Sequence, residues 1–202
     1  MKTILFQGDS VTDCSRERGD PGSLGSGYVL YASRLLPGFH VLNRGCSGDR
    51  ARDLAARWQA DCLDLSPDIV SIHIGINDTW RRYDSGDPTG DAAFEADYRR
   101  LIEPLLLLEP LRNVQVLLIV PFVTDSSPAV TRMREDLSGK QAVVRSLARE
   151  YSTALLDADA LLLAAVRERG YAPADLAADG VHPTALGHRL LGAAAAEKIK
   201  TL

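Results

Sequence analysis

Ser10, Asp179 and His182 are residues of the three types that nucleophilic ester hydrolysis requires. That chemistry needs a hydroxyl, a base beside it to take its proton, and a carboxylate that orients the base. An Asp three residues before a His can place its carboxylate against Nδ1 within one local turn, which leaves Nε2 free for the serine. We therefore predict that Ser10 is a nucleophile, His182 its base and Asp179 the orienting acid.

A serine nucleophile also needs hydrogen-bond donors directed at the oxyanion that forms on the attacked carbonyl. We predict three donors: the backbone N–H of Ser10, the backbone N–H of Gly48 and the side-chain amide of Asn77. Gly48 has no Cβ and so permits a close approach of the backbone. The amide of Asn77 is neutral, and it can stabilise developing charge without pairing tightly in the ground state.

Two carboxylates are direct neighbours of these groups, Asp9 before Ser10 and Asp78 after Asn77. The interpretation that we favour for both is structural: each carboxylate accepts backbone N–H bonds and fixes the loop that carries its catalytic neighbour. Three arginines near the Gly48 segment could pair with such carboxylates, namely Arg44, Arg50 and Arg52.

Aromatic residues follow Asn77 in the segment 80–83, which we predict to begin a loop. Trp80 and Tyr83 could bind substrate by stacking on a sugar ring; alternatively, Trp80 packs beneath the loop or in a subunit contact. Pro121 and Phe122, at the end of the fourth predicted strand, are candidate walls of an acyl pocket.

The other histidines, His40, His73 and His188, have no partner at metal-ligand spacing, so we interpret them as packed or solvated and expect no metal. Cys14 and Cys46 lie near the predicted site without a histidine-bearing motif, and we interpret both as small packing residues. The cysteines are odd in number and form no close pairs, which is typical of a reducing cytoplasm.

Five short apolar, partly β-branched runs alternate with longer helical patterns, which predicts a parallel sheet with helices on both faces. The runs cover residues 2–7, 39–43, 68–74, 114–120 and 153–157. The helical patterns cover residues 26–36, 50–65, 91–109, 128–151, 158–169 and 184–200, and Pro104 and Pro110 should kink and then stop the third of them. Long loops are expected at residues 13–25, 80–90 and 122–127, and loops of this kind often carry function.

The strand ends are where the candidate residues fall. In a flavodoxin-like, doubly wound five-stranded parallel sheet of order 2-1-3-4-5, the carboxyl ends of the first three strands lie side by side, and ligands bind at that edge. Ser10, Gly48 and Asn77 follow those three strands in turn. We therefore predict an α/β fold of three layers, α/β/α, with the site at this edge.

Length and charge bound the remaining possibilities. The chain has 202 residues, which at about 150 residues per domain predicts a single domain, 1–202. Its net charge is −4, so we expect neither nucleic acid nor a membrane as partner. The predicted site calls for a small-molecule ester, and the loops at residues 80–90 and 122–133 could border its pocket or bury the interface of a homo-oligomer. The apolar run at the N-terminus is three residues long, too short for a signal peptide, which also favours the cytoplasm.

Together these segments resemble the four signature blocks of the SGNH or GDSL hydrolase family, with Val11 where the name-giving motif has Leu. The blocks are residues 8–11 (Gly-Asp-Ser-Val), Gly48, residues 75–78 (Gly-Ile-Asn-Asp) and residues 179–182 (Asp-Gly-Val-His). Residues 6–14 and 74–84 are most similar to bacterial intracellular acetylxylan esterases, which act on acetylated xylo-oligosaccharides. The resemblance implies a serine esterase with an acetyl-sized acyl pocket and a sugar-facing rim, and without metal or organic cofactor.

Three alternatives stay open at this point, and one of them is a non-catalytic interaction protein, which a fluorophosphonate would fail to label at Ser10. A thioesterase or lysophospholipase of the same family would share these residues and differ only in its pocket. A nucleotide- or flavin-binding module is a candidate from another class, but the segment after the first strand has neither a Gly-Lys-Ser/Thr ending nor a Gly-x-Gly-x-x-Gly pattern.

Overall fold

A computed structural model describes residues 1–107 and 113–202 of the protein. Its centre is a parallel sheet whose five strands are β1 (Thr3–Gly8), β2 (His40–Asn43), β3 (Ile69–His73), β4 (Gln115–Ile119) and β5 (Ala154–Leu156). The strands are ordered β2-β1-β3-β4-β5, and Leu5 in β1 lies between Leu42 and Val70 of its neighbours. The predicted fold class and strand order are confirmed.

Helices cover both faces of the sheet. The short ones are α1 (Ser10–Asp13), α2 (Tyr28–Arg34), α3 (Ala51–Ala56), α4 (Trp58–Asp61), α7 (Pro128–Thr131) and α10 (Pro173–Leu176). The longer ones are α5 (Ile76–Asp84), α6 (Asp91–Leu107), α8 (Met133–Glu150), α9 (Ala158–Arg169) and α11 (Ala185–Ile199). None of the helices within the described residues is long and apolar enough to cross a membrane.

Two apolar cores fill the space between sheet and helices, because successive side chains of a strand point to opposite faces. Leu5 and Ile72 belong to the core beneath α3, α6 and α8. Ile4 and Phe6 belong to the core beneath α2, α9 and α11. The central strands β1, β3 and β4 are thus mostly buried on both sides, whereas the edge strands β2 and β5 are partly exposed.

Several predicted helices have different limits in the structure. The pattern over 50–65 forms α3, α4 and a 3-10 turn over Leu63–Leu65, and the pattern over 128–151 forms α7 and α8. Pro104 lies inside α6, whereas the predicted end of that helix and the stop at Pro110 fall outside the described residues.

The segment 80–90 was predicted as a loop, which is wrong for residues 80–84, whereas residues 85–90 connect α5 to α6 as predicted. Residues Trp80 to Asp84 are the second half of α5, which starts directly after β3 and Gly75. The buried first turn of α5 contains Asn77, so Trp80 lies one turn above the predicted oxyanion donor on a rigid element.

Candidate active site

Ser10, His182 and Asp179 form a continuous line of hydrogen bonds at the carboxyl edge of the sheet. Ser10 Oγ is 2.9 Å from His182 Nε2, and His182 Nδ1 is 2.6 Å from Asp179 Oδ2. An ionised carboxylate only accepts, so Nδ1 carries the proton and Nε2 is free to accept the hydroxyl proton of Ser10. The geometry is that of a serine nucleophile with an oriented base.

Ser10 begins α1 immediately after β1, and Asp9 caps this turn. Asp9 Oδ1 accepts the backbone N–H of Val11 at 3.0 Å, as its structural interpretation predicts. The carboxyl group is 1% exposed, and this burial raises its pKa to about 7 although the Val11 hydrogen bond acts in the opposite direction. Asp9 therefore stabilises the turn that carries Ser10, although its own carboxyl group is removed from water.

Hydrogen bonds within the segment 179–182 fix its conformation. Inside it, Asp179 Oδ1 accepts the backbone N–H groups of Val181 and His182, at 2.9 and 2.8 Å. Partial burial opposes ionisation of Asp179, but the hydrogen bonds from the His182 ring and the two N–H groups hold its pKa below the usual value. The acid thus stays ionised and fixed beside the base.

Thr124 fastens this segment to the loop after β4. Its backbone N–H donates to Gly180 O at 2.7 Å, and its Oγ1 donates to Ala177 O at 3.2 Å. Gly180 has a φ of 85°, and a Cβ there would lie 2.6 Å from Val130 Cγ1. Sequence reasoning missed Thr124 because nothing in its local pattern reveals contacts with a segment more than 50 residues away.

Gly48 lies in an exposed loop that Asp13 fastens to α1. Asp13 Oδ2 accepts from Ser47 N at 2.9 Å and from Ser47 Oγ at 2.7 Å. Gly48 has a φ of 91°, and the atom nearest to a Cβ placed there would be Arg81 Nη2 at 3.9 Å. A close backbone approach was the predicted reason for glycine; the structure gives the left-handed φ instead, with open space beside it.

Asn77 is 5% exposed, and its amide donates one hydrogen bond to the carbonyl oxygen of Asp49 at 3.0 Å. This bond fixes the plane of the amide and leaves its second N–H available. Next to it, Asp78 Oδ2 accepts the backbone N–H of Ala51 at 3.1 Å, and burial raises the pKa of Asp78 to about 6. Asp78 therefore has the structural contact that the sequence predicted.

The two predicted sugar-stacking residues are placed differently. Trp80 is half-buried, and its ring centroid is 5.7 Å from that of His182. Tyr83 is 42% exposed, and its hydroxyl donates to Arg132 O at 3.1 Å, between α7 and α8. The structure thus brings Trp80, and not Tyr83, into contact with the catalytic groups.

Pro121 and Phe122 do not form walls of an open acyl pocket, and this prediction is wrong. Both are buried, and Phe122 is 2% exposed. The Phe122 ring stacks on His73 with centroids 5.8 Å apart, while Pro121 O accepts the side-chain amide of Gln141. Their apolar surface is used within the protein, beneath the sheet edge.

The arginines and the remaining polar residues near the site also find other partners than expected. Arg50 pairs with Asp87 at 2.7 Å, not with Asp9 or Asp78, and Arg44 donates to backbone carbonyls.

His188 is buried, which lowers its pKa to about 4, and its Nε2 lies 3.2 Å from Cys14 Sγ. Cys14 therefore has a histidine neighbour, 174 residues away, that its local sequence does not indicate.

Comparisons with known proteins identify relatives across almost the whole chain. The model of the GDSL-like lipase/acylhydrolase family matches residues 6–190. An acetylxylan esterase from Geobacillus stearothermophilus is 36% identical over 201 residues, which cover 95% of this chain and 90% of that protein.

Solved structures agree with these relatives. The crystal structure of the Geobacillus stearothermophilus acetylxylan esterase matches with a TM-score of 0.86, covering 98% of this chain and 94% of its own. A crystal structure from Parabacteroides merdae, assigned to the GDSL-like lipases, matches with a TM-score of 0.91 at 32% identity, covering 100% and 96%. The chain therefore belongs to the GDSL-like lipase and acylhydrolase family.

Proposed function

We propose that the protein is a serine esterase that removes acetyl groups from small carbohydrate esters such as acetylated xylo-oligosaccharides. The observation that carries this proposal is the line of hydrogen bonds from Ser10 Oγ through His182 to Asp179. The substrate class follows from the relative that is an acetylxylan esterase, 36% identical over 95% of this chain.

The reaction begins when His182 Nε2 takes the proton of Ser10 Oγ and the oxygen attacks the ester carbonyl carbon. The resulting oxyanion would be bound by the N–H groups of Ser10 and Gly48 and by the free N–H of Asn77. His182 then protonates the leaving alcohol, and the same base activates a water that hydrolyses the acyl-enzyme. Asp179 stabilises the imidazolium in both steps.

The neighbourhood of Ser10 supports a neutral substrate of modest size. Trp80 offers an apolar ring beside His182, and the space next to Gly48 is open. Aromatic rings of this kind pack well against the apolar face of a sugar. The cation nearest to the open space is Arg81, whose Nη2 would lie 3.9 Å from a Cβ on Gly48 and whose guanidinium pairs with Asp84.

We also propose that the reaction takes place in the cytoplasm, on free oligosaccharide fragments. The support for this is the chain's cysteine usage: Cys14, Cys46 and Cys62 are free thiols in the structure, as is usual in reducing compartments.

The test is a substrate panel in which the released acid is measured. It contains acetylated xylo-oligosaccharides, other acetylated sugars, acyl-CoAs, lysophospholipids, and acetyl and octanoyl nitrophenyl esters. We expect wild-type enzyme to prefer the acetylated oligosaccharides and to be labelled by a fluorophosphonate, and Ser10→Ala to lose both properties. Equal rates for wild type and Ser10→Ala would overturn the mechanism, whereas a preference for octanoyl esters or acyl-CoAs would replace the substrate class by a lysophospholipase or thioesterase.

A further inference from the structure

Arg57, between α3 and α4, joins the end of β1 to the loop that contains Gly48. Its Nε donates to Asp49 Oδ2 at 2.7 Å, and its Nη2 donates to the carbonyl oxygen of Gly8 at 3.3 Å. Its Nη1 donates to Gln7 Oε1 at 3.2 Å and to Asp61 Oδ2 at 2.9 Å. The Arg57 side chain is only 19% exposed, so one partly buried guanidinium engages four acceptors from three segments.

Two of these acceptors, Gly8 and Asp49, are close in sequence or by hydrogen bond to the three predicted oxyanion donors. Gly8 precedes the nucleophile turn by two residues, and Asp49 is the residue after Gly48. The carbonyl oxygen of Asp49 is also the group that accepts one amide N–H of Asn77, at 3.0 Å. Arg57 thus hydrogen-bonds directly to the segments that carry Ser10 and Gly48, and it is linked to the Asn77 side chain through Asp49.

We propose that Arg57 is a positioning residue that keeps the donors of Ser10, Gly48 and Asn77 in mutual register for oxyanion binding. This inference depends on the proposed serine esterase mechanism. A planar guanidinium with donors in fixed directions can hold a carbonyl, an amide and two carboxylates at once, whereas the ammonium of a lysine cannot reach all of them. Arg57 does not touch the reacting atoms; it acts through Asp49 and Gly8.

The kinetic signature of this role is specific. An oxyanion exists only in the transition state and the tetrahedral intermediate, so misplaced donors lower kcat while KM changes little. We expect Arg57→Lys to lower kcat for an acetyl ester roughly 10-fold to 100-fold, with KM within about 2-fold of wild type. Acyl-enzyme formation, measured as the nitrophenol burst, should slow by the same factor.

Arg145 provides a matched control for a merely structural role. It also pairs with an aspartate, donating from Nε and Nη2 to Asp157 at 2.8 and 3.2 Å, and its side chain is 31% exposed. Arg145→Lys should lower the melting temperature by an amount comparable to Arg57→Lys and leave kcat unchanged. An equal loss of kcat in both variants, or an unchanged kcat in Arg57→Lys, would overturn the proposal.

A double-mutant cycle with Asn77→Ala tests the route. If Arg57 acts through the Asp49 carbonyl, removing the Asn77 amide also removes part of what Arg57 contributes. The loss in log kcat of the double variant should then be smaller than the sum of the losses of Arg57→Lys and Asn77→Ala. Strict additivity would contradict this route.

Asp49→Asn tests the same contact from its other side if Arg57→Lys does not fold, because it keeps an acceptor and removes only the charge. The kcat of this variant should fall below that of wild type while KM changes little, and an unchanged kcat would count against the proposal. Failure of the esterase proposal itself would be distinguishable, since wild type would then neither hydrolyse acetyl esters nor label at Ser10.

Discussion

The indole ring of Trp80 lies against the imidazole ring of His182, with centroids 5.7 Å apart and ring planes inclined by 48°. Trp80 also packs on a small apolar cluster that includes Ile76 of α5 and Val181 of the catalytic segment. The same side chain therefore packs against His182, and we expect its ring also to contact an ester bound at Ser10. If so, substrate contact and orientation of the base depend on one side chain.

Replacing Trp80 should affect the two roles together. We expect Trp80→Ala to lower kcat/KM for acetylated xylo-oligosaccharides by a factor of up to roughly 10, because a contact between rings is worth about 0.5–1.5 kcal/mol. Trp80→Phe should retain most of the activity. Tyr83→Ala is the control, because Tyr83 is exposed and contacts Arg132 instead of His182. Steady-state kinetics of the three variants gives the comparison. A loss in Tyr83→Ala as large as that in Trp80→Ala would contradict the assignment.

Asp179→Asn should lower kcat about 10²-fold to 10⁴-fold without unfolding the protein. The amide nitrogen of the asparagine would face His182 Nδ1 and force the proton to Nε2, where it blocks acceptance from Ser10. Asp175→Asn is the control, because Asp175 likewise caps a turn by accepting the Ala172 N–H but belongs to α10. Single-turnover rates of the two variants should differ by at least the stated factor, and similar rates would refute the triad.

Gly180→Ala should lower kcat by about 100-fold or more. The added Cβ would lie within 3 Å of Val130 Cγ1, Ser126 Oγ and Thr124 O, and relief of these contacts must displace the catalytic segment. Displacements of about 1 Å are sufficient for such losses. Gly170 is the matched control, since it has a similar φ of 72° and no atom within 4 Å of a Cβ placed there.

Gly170→Ala should therefore cost about 1 kcal/mol of stability and keep full activity. Thermal unfolding and kinetics of the two variants separate backbone strain from displacement of the catalytic groups. If Gly170→Ala lost as much activity as Gly180→Ala, strain alone would account for the effect.

Asp9→Asn should change how stability depends on pH. The pKa of Asp9 is raised to about 7, so between about pH 4 and pH 7 the folded state keeps a proton that the unfolded state has released. The stability from the protonated carboxyl is fully present below about pH 4 and is lost as the pH rises through about 7, a total of at most about 4 kcal/mol. Asparagine also caps helices and has no charge to desolvate.

The advantage of Asp9→Asn over wild type should accordingly grow from pH 4 to pH 8 in urea unfolding experiments. Asp20→Asn is the reference, because Asp20 is exposed and also accepts a local N–H, from Gly22. A difference between Asp9→Asn and wild type that does not vary with pH would show that the carboxyl is not desolvated in the folded protein.

The strands and the four signature segments could be predicted because both have local sequence signals, and the strand order follows from the doubly wound fold that the alternation of elements indicates. Apolar runs of strand length alternate with helical patterns, and Asp179 and His182 stand three residues apart. Helix α5 could not be predicted in the same way. Its first turn contains Asn77, Asp78 and Thr79, which are weak helix formers. Its polar face is held by α8, where Asp136 accepts from Thr79 Oγ1 and pairs with Arg82.

Contacts over long sequence distances explain the other errors. Phe122 was predicted as a pocket wall because it ends a strand near the site, but the side chain turns into the core against His73. Arg57 gave no signal at all, since its partner Gly8 lies 49 residues away and the arginine stands in an ordinary helical pattern. Such residues become visible only when the packing of the elements is known.

The short span between Asp179 and His182 has a consequence for how this enzyme tolerates change. Acid and base belong to one tetrapeptide, so their pairing depends on local geometry and not on how two distant loops are placed. For proton transfer, the rest of the molecule must preserve the separation of His182 Nε2 from Ser10 Oγ. Surface loops other than those that carry Gly48 and Thr124 can therefore change in length to recognise new alcohols while the acid–base pair is inherited as one piece.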